Sequence, residues 1–314
     1  MAQSVTLDFL GFNPTVVEKV TRLLTLLSRI SADPFLAPRV CLHGGTALNL
    51  FVLGAPRLSV DIDLNYIASP DRDIFLAERD SVEQAITVAG RELGFNVISG
   101  KPQHAGRSFQ FQYTSTHGSD HVKIDMDYLN RSPLLPPQPM TATVANGGEV
   151  TFLVNATVEL FAGKTKALVE RVAVRDLYDV SNISSSYPTI LTSNDSRLYH
   201  RVMLYYLSLS APFPRPFIVA SRFADRERDV VDALYPMLRT HDRPVLADMV
   251  TTAEKFICKA GDPTDDAEAE YLERMARADF VPELLFIDYP CTLSAAKADP
   301  AAAWKMRNLL NRPW

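Results

Sequence analysis

The sequence is poor in the residues that cross-link small domains or build zinc sites. It has only 3 cysteines in 314 residues, and Cys41, Cys258 and Cys291 are too far apart to form a CxxC pair. An odd number of widely spaced cysteines argues against a disulfide framework and against a cysteine-rich zinc site. It is typical of a protein that works in a reducing compartment.

Long apolar runs and a cationic leader are missing as well. The apolar stretch 16–30 is broken by charged residues, a pattern that favours an amphipathic helix over a membrane span. Residues 1–13 carry no cationic segment ahead of an apolar one, so no signal peptide is expected. Lys and Arg total 32 against 37 Asp and Glu, which is unlike a protein that coats nucleic acid, although a local basic cleft is compatible with it. We expect a soluble, cytoplasmic protein without a membrane partner.

Local patterns divide the chain into an α/β part and an α-helical part. Helices are predicted at 14–30, 46–53 and 71–93, and strands at 40–42, 57–64, 95–99, 107–114 and 121–129, the last two as a hairpin. Residues 131–139 are proline-rich and predict a loop or edge segment, and Asn146-Gly147-Gly148 predicts a turn. Beyond Thr157 the pattern is helical almost throughout, to Leu310. The fold class is therefore α+β, with an α/β domain at 1–155 and a mainly α-helical domain at 156–314.

Paired carboxylates mark the first half. Asp61 and Asp63 alternate with apolar residues, and residues two apart on a strand share a face at a spacing of roughly 6.5–7 Å. Asp125 and Asp127 repeat the pattern on a second strand, so one of them, with Asp125 preferred, could join the first pair. Carboxylates this close repel one another, so three together imply either a bound metal or a strongly raised pKa of one of them. Hard oxygen ligands suit Mg²⁺ or Mn²⁺ better than zinc. An ordinary solvated strand face is the alternative interpretation.

A second charged group follows in the helical half. Gly163-Lys164-Thr165 suggests a P-loop, but that motif needs a glycine where Val158 stands. On a helix, Lys164 lies beside apolar positions and is partly shielded, so it could neutralise charge on phosphates. A solvated helix face is the alternative, because Glu159 and Glu170 flank these cations. His43, at the end of the strand at 40–42, could touch substrate, but packing in the core is the favoured interpretation.

Two blocks of the sequence, in this order, resemble one family. The first is Gly44-Gly45-Thr46-Ala47-Leu48 followed by Arg57-x-Ser59-x-Asp61-Ile62-Asp63-Leu64, and the second runs from Glu159 to Leu168 and on through Arg171 to Asp179. Both are similar to the AbiEii/MenT nucleotidyltransferase toxins of type IV toxin–antitoxin systems, within the polymerase-β-like nucleotidyltransferase superfamily. The resemblance covers residues 43–180, and the helical remainder matches only in general character.

The resemblance implies an enzyme of the polymerase-β-like fold that transfers a nucleoside monophosphate from an NTP and releases pyrophosphate. It implies the 3′ acceptor end of tRNA as acceptor, a pyrimidine NTP as donor and a cognate antitoxin as partner. The implied catalytic residues are Ser59, Asp61, Asp63, Asp125, Lys164, Asp176 and Asp179, with Mg²⁺ or Mn²⁺ on Asp61, Asp63 and Asp125. The implied nucleotide-binding residues are Gly44, Gly45, Thr46, Arg57, Lys166, Arg171 and Arg175.

Two other functions stay open on the sequence alone. The same transfer could go to a small molecule or a protein hydroxyl, because these motifs serve the nucleotide and not the acceptor. A catalytically inactive nucleotidyltransferase-fold module that acts by binding is the other. The intact Asp61, Asp63 and Lys164 argue against it, since a folded scaffold does not require them to cluster.

Overall fold

The computed structural model of the chain describes residues 3–103, 105–145, 147–191, 195–217 and 220–310, so Asn146 of the expected turn lies outside the described residues. The chain divides into two compact units. The first comprises Met1–Ala156 and Pro236–Asp242, and the second comprises Thr157–Tyr235 and Arg243–Trp314. The sequence pattern assigned everything after residue 155 to one domain, whereas the structure returns the segment Pro236–Asp242 to the first unit.

One mixed sheet of eight strands organises the first unit. Its strands are β1 (Gln3–Leu7), β2 (Val40–His43), β3 (Asp61–Tyr66), β4 (Asn96–Ser99), β5 (Gly106–Ser115), β6 (Gly118–Asp127), β7 (Gln138–Val144) and β8 (Glu149–Val154). They lie side by side in the order β1-β7-β8-β2-β3-β6-β5-β4. In the middle of the sheet, β3 is antiparallel to β2 and parallel to β6. The expected hairpin is present as β5 and β6, and the mixed pairing confirms the α+β class.

Helices α1 (Pro14–Ser31), α2 (Gly44–Thr46) and α3 (Arg72–Glu92), with a π-helical segment at Ala47–Val52, complete this unit. The start of α1 is the expected one, because the Asn13 side chain accepts a hydrogen bond from the Thr15 amide at 2.9 Å and proline opens the first turn. Its apolar face is fully buried at Leu23, Leu26 and Leu27. This helix packs on β8, β6 and α3.

The strand expected at 57–64 begins only at Asp61. The Leu58 amide donates instead to the Met237 carbonyl at 2.8 Å, so the segment before Asp61 is bonded to the returning Pro236–Asp242 segment and not to the sheet. Three further strands, β1, β7 and β8, were not predicted. Strand β1 pairs with β7 across more than a hundred residues, a long-range partnership that no local pattern encodes.

In the described residues of the second unit, the regular secondary structure is helical, as expected. Its helices are α4 (Thr157–Glu170), α5 (Val174–Leu191), α6 (Ser196–Ser208), α7 (Glu227–Asp229), α8 (Leu246–Gly261), α9 (Asp266–Ala276), α10 (Glu283–Phe286), α11 (Pro290–Ala298) and α12 (Pro300–Leu310), with a 3₁₀ turn at Ala220–Arg222 and a π-helical segment at Val230–Leu234. A buried guanidinium joins three of them. Arg201 of α6 contacts Glu268 of α9 at 3.3 Å and donates to the Leu285 carbonyl of α10 at 2.7 Å.

An acidic residue at the start of α9 belongs to the same ionic network. Asp265 accepts hydrogen bonds from Arg197 and Arg201, each at 2.9 Å, and from the Glu268 amide. Burial raises the pKa of Asp265, but these donors outweigh it and lower the pKa to about 2. The aspartate therefore stabilises the folded unit in its ionised form.

Candidate active site

Strand β3 carries the first two candidate carboxylates on one face of the sheet. Its side chains alternate, so that Ile62 and Leu64 are fully buried on one face while Asp61 and Asp63 are half-buried on the other. A hydrogen bond holds the start of the strand in place, because the hydroxyl of the buried Thr46 donates to the Asp61 carbonyl at 2.5 Å. The expected Asp-x-Asp strand is thus present, although it is shorter at its N-terminal end than expected.

Strand β6 brings the third candidate carboxylate beside this pair. The parallel register places Asp125 opposite Asp63 and Lys123 opposite Asp61. Because paired residues of neighbouring strands project to the same face, all four charged side chains share one polar surface. The structure therefore brings Asp61, Asp63 and Asp125 together, which the sequence pattern made conditional on the two strands being neighbours.

Register and hydrogen bonds also separate Asp125 from its neighbour Asp127. Asp127 lies opposite Asn65, and its carboxylate accepts from the Leu129 amide at 2.6 Å and the Asn130 side chain at 2.7 Å. It therefore holds the turn that ends β6. This arrangement favours Asp125 as the third carboxylate.

Both oxygens of Asp125 have protein partners. Lys123 Nζ lies 2.6 Å from Asp125 Oδ2, and the Ser108 hydroxyl donates to Asp125 Oδ1 at 2.5 Å from the neighbouring strand β5. The hydrogen bond to Asp125, with the charges of Asp61 and Asp63, raises the pKa of Lys123. Within the described ranges, Asp61 and Asp63 have no hydrogen bond or ion pair at their carboxylates, and no three acidic, histidine or cysteine side chains are already gathered around one metal position.

Gly44 is required by the position of Asp63. The glycine has a φ of +72°, and a Cβ built on it lies 2.0 Å from Asp63 Oδ2 and 2.7 Å from Asp63 Cγ. A side chain here would therefore meet the carboxylate itself as well as adopting a left-handed backbone conformation. The Gly-Gly turn and the carboxylate pair form one structural unit, which explains why the motif needs glycine at this position.

A cavity of about 370 Å³ opens beside the carboxylates within the first unit. Asp63, Asp125 and Ser108 line it together with two cations, Lys101 and Arg107. His43, which the sequence pattern placed in the core, also lines this cavity. Among the described residues that line this cavity, Asp61 is not included.

Arg107 is held in the cavity wall by a buried acid. Glu83, on α3, lies 2.6 Å from the Arg107 guanidinium and 2.9 Å from that of Arg79. Arg107 also donates to the Gly100 carbonyl at 2.9 Å. This wall of the cavity is therefore fixed by ion pairs.

The other residues of the first motif are mostly buried. Arg57 is 2% exposed and donates to the Leu58 carbonyl at 2.9 Å, so its guanidinium faces backbone and not solvent. Ser59 is 7% exposed and Thr46 is fully buried, while Gly45 is buried in the short helix α2. These residues shape the turn before β3, and a nucleotide-binding role for them stays a prediction.

The second motif forms a buried charge cluster inside the second unit. Lys164 of α4 is 7% exposed, and its Nζ lies 2.9 Å from Asp176 and 3.1 Å from Asp179, both on α5. Asp176 also receives the Arg171 guanidinium at 2.6 Å. Burial raises the pKa of Asp176, but Lys164 and then Arg171 outweigh it, so the pKa lies below its usual range.

Two other cations of the second motif were predicted to bind nucleotide. Lys166 pairs with Glu170 one turn later at 3.1 Å, and Arg175 is half-buried on α5. The sequence pattern expected Lys164 to be partly shielded. The structure goes further, because the ammonium group is enclosed by two carboxylates that tie α4 to α5.

Two residues of the carboxylate site did not emerge from the sequence as functional candidates. Lys123 had a local signal, since it stands two positions before Asp125 on a strand and therefore shares its face. Ser108 had none, because only the β5–β6 register places it opposite Asp125.

Comparison with known proteins decides the family. The profile of the family described as nucleotidyl transferase AbiEii toxin, type IV toxin–antitoxin system, matches residues 25–278, well over half of the chain. The chain belongs to the AbiEii nucleotidyltransferase toxin family. The expected enzyme class, nucleotidyltransferase, is confirmed with it.

One solved structure supports the fold of this AbiEii-family chain, and a second match is more distant. MenT4, a nucleotidyltransferase toxin from Mycobacterium tuberculosis H37Rv, superposes with a TM-score of 0.58 at 18% identity, covering 90% of this chain and 92% of that one. JHP933 from Helicobacter pylori has a TM-score of 0.48 at 15% identity, covering 85% and 97%. A comparison with curated proteins gave no match.

Family membership carries several coarse consequences. A type IV toxin–antitoxin family implies an NTP substrate and an antitoxin partner, and nucleotidyltransferases of this family generally use divalent metal ions. Among the described helices, none is both long enough and apolar enough to cross a membrane.

Proposed function

We propose that this AbiEii-family enzyme transfers a nucleoside monophosphate, from a pyrimidine NTP, to the 3′ acceptor end of tRNA and so blocks translation. The observation that carries the catalytic part is the pairing of Asp63 with Asp125 on neighbouring strands, with Asp61 on the same face, beside a cavity of about 370 Å³. The acceptor and the NTP come from the family resemblance. We place the reaction in the cytoplasm, where tRNA and a cognate antitoxin would both be available.

The donor set fits a hard divalent cation. All three candidate ligands are carboxylates, and those of Asp61 and Asp63 carry no hydrogen bond or ion pair among the described residues. Oxygen-only sites of this kind suit Mg²⁺, or Mn²⁺ in its place. We therefore assign Asp61, Asp63 and Asp125 as the residues that hold the metal. When bound, Mg²⁺ supplies positive charge that offsets the charge on the reacting phosphate.

The chain's own residues then position the reaction. The acceptor hydroxyl attacks the α-phosphorus in line, the bond to the bridging α–β oxygen breaks, and pyrophosphate leaves with that electron pair. Asp125 lines the cavity and is the candidate to accept the hydroxyl proton. Gly44, Gly45 and Thr46 form the turn that would hold the triphosphate, with Ser59 beside it.

The family resemblance suggests that cations of the two motifs neutralise the phosphate charges of the NTP. We propose that Lys164 steadies the departing pyrophosphate, with Arg57, Lys166, Arg171 and Arg175 as nucleotide contacts. Asp176 and Asp179 would orient the lysine, which agrees with their ion pairs at 2.9 and 3.1 Å. The same ion pairs also give Lys164 a structural role, because they join α4 to α5.

The direct test is incubation of the purified enzyme with each α-labelled NTP and total tRNA, in Mg²⁺ or Mn²⁺. We expect label at the tRNA 3′ end with a pyrimidine NTP, and none with Asp63→Asn, whose amide keeps the size of the side chain but loses its charge. Label that appears in protein and is lost in Ser59→Ala would show that the acceptor is a protein hydroxyl and not tRNA. No label in RNA with any NTP would refute the tRNA proposal.

The toxin role is tested in cells. Induced expression of the wild-type chain should inhibit growth, and Asp61→Ala should relieve the inhibition. Unchanged inhibition by Asp61→Ala would show that the chain acts by binding and not by catalysis.

A further inference from the structure

Lys123 stands among the three candidate metal ligands. It lies opposite Asp61 in the β3–β6 register, and its Nζ is 2.6 Å from Asp125 Oδ2. Asp63 lies on the same face of the neighbouring strand, opposite Asp125. Among the described residues, it is the one cation that forms an ion pair with any of these three carboxylates.

The charges at this site balance in an informative way. Three carboxylates carry three negative charges, and Lys123 reduces the total to two. A single divalent cation matches that remainder, whereas the carboxylates without the lysine would attract divalent cations more strongly. The lysine therefore lowers the net negative charge that attracts a divalent cation to these three carboxylates.

The lysine also occupies a ligand position. An ammonium group and a metal ion use the same lone pairs of a carboxylate oxygen, and at 2.6 Å the ammonium covers Asp125 Oδ2. Ser108 takes only one lone pair of the other oxygen, so its hydrogen bond is compatible with a bound cation. Lys123 is 39% exposed on a flexible stem, and it can swing towards solvent.

We propose that Lys123 is a positioning residue that holds Asp125 in place and competes with the divalent cation for Asp125 Oδ2. Removing the lysine charge should tighten metal binding, and keeping a charge there should not. This role rests on the proposed function only in that Asp61, Asp63 and Asp125 bind the metal. It does not depend on which acceptor or NTP the enzyme uses.

The test is a titration of the full-length protein with Mn²⁺ alone, followed by electron paramagnetic resonance of the free ion, without NTP or RNA. Lys123→Met should bind Mn²⁺ about tenfold more tightly than wild type, since it removes a positive charge next to the ion. Lys123→Arg, which retains the charge, should stay close to wild type. Lys19→Met is the matched control, because Lys19 forms an ion pair of 3.1 Å with Asp120, near the opposite end of β6 from Asp125, and it should change the affinity by less than about twofold.

A second substitution locates the effect. In an Asp125→Asn background, Lys123→Met should bring a clearly smaller gain, because only the longer-range effect of the lysine charge remains once the oxygen for which the two cations compete has lost its charge. Thermal unfolding of each variant checks that it is folded, and Lys123→Gln repeats the charge removal if the methionine variant is not.

Equal or weaker Mn²⁺ binding by the folded Lys123→Met or Lys123→Gln variant would overturn the proposal. A gain in the Asp125→Asn background as large as in the wild-type background would overturn it too. Failure to label tRNA, with the Mn²⁺ result as expected, would refute the proposed acceptor and leave the role of Lys123 standing.

Discussion

Replacing Gly44 with alanine should disable the carboxylate site while leaving the fold in place. The new Cβ would lie 2.0 Å from Asp63 Oδ2, a distance that non-bonded atoms do not adopt, so the Asp63 carboxylate must move by at least about 1 Å. The backbone at φ +72° adds a second cost, because a residue with a Cβ in the left-handed region loses about 1–2 kcal/mol.

These two costs affect different measurements. The backbone cost should lower the melting temperature of the first unit by a few degrees, at about 2–4 °C per kcal/mol for a unit of that size. Displacement of Asp63 should lower kcat for nucleotidyl transfer by about a hundredfold or more, since a misplacement of about 1 Å is enough for such a loss. The loss of activity should therefore exceed anything the stability change explains.

Gly94→Ala provides the matched control. Gly94 has a φ of +84° and no atom within 4 Å of its built Cβ, so alanine there pays the backbone cost without touching the carboxylates. Calorimetry and α-labelled NTP incorporation should show similar stability losses for both variants and an activity loss for Gly44→Ala alone. Near-wild-type activity of Gly44→Ala, or an equal activity loss in Gly94→Ala, would show that contact with Asp63 is not what makes glycine necessary at position 44.

Three further expectations follow from the ion pairs. Lys164→Met should cost about 3–5 kcal/mol of unfolding free energy in urea titrations, because it leaves two buried carboxylates without their shared ammonium, and adding Asp179→Asn should restore part of it. The pKa of Asp265 is lowered from 3.8 to about 2. Ionised Asp265 therefore stabilises the folded state fully above a pH of about 4, and this stabilisation is lost as the pH falls towards 2. Asp265→Asn should reduce the acid-dependent loss of unfolding free energy by about 1 kcal/mol. Asp125→Asn should abolish transfer, whereas Asp127→Ala should retain most of the activity and lose mainly melting temperature.

Each of these expectations has an opposing outcome. A Lys164→Met variant as stable as wild type would mean that the buried pairs are not required for folding. An unchanged acid dependence in Asp265→Asn would remove that residue from the cause of acid unfolding. Equal activity losses in the Asp125 and Asp127 variants would contradict the separation of their tasks.

The local patterns predicted most elements of the first unit, because amphipathic period and capping are properties of neighbouring residues. The start of α1 at Pro14 and the β5–β6 hairpin are examples. The patterns failed where partners come from far along the chain. Strand β1 depends on β7, and the segment before Asp61 is bonded to Met237.

Residue type and spacing were enough to predict the family blocks and the Asp61–Asp63 pair, since two carboxylates two residues apart share a face on any strand. The position of Asp125 beside this pair became known from the fold, because it follows from the β3–β6 register. The fold also showed that Lys123 contacts Asp125 and that Lys164 is enclosed by Asp176 and Asp179. The reason is physical: residue type and spacing fix which face a side chain takes, whereas its charge partners depend on which distant segment packs against that face.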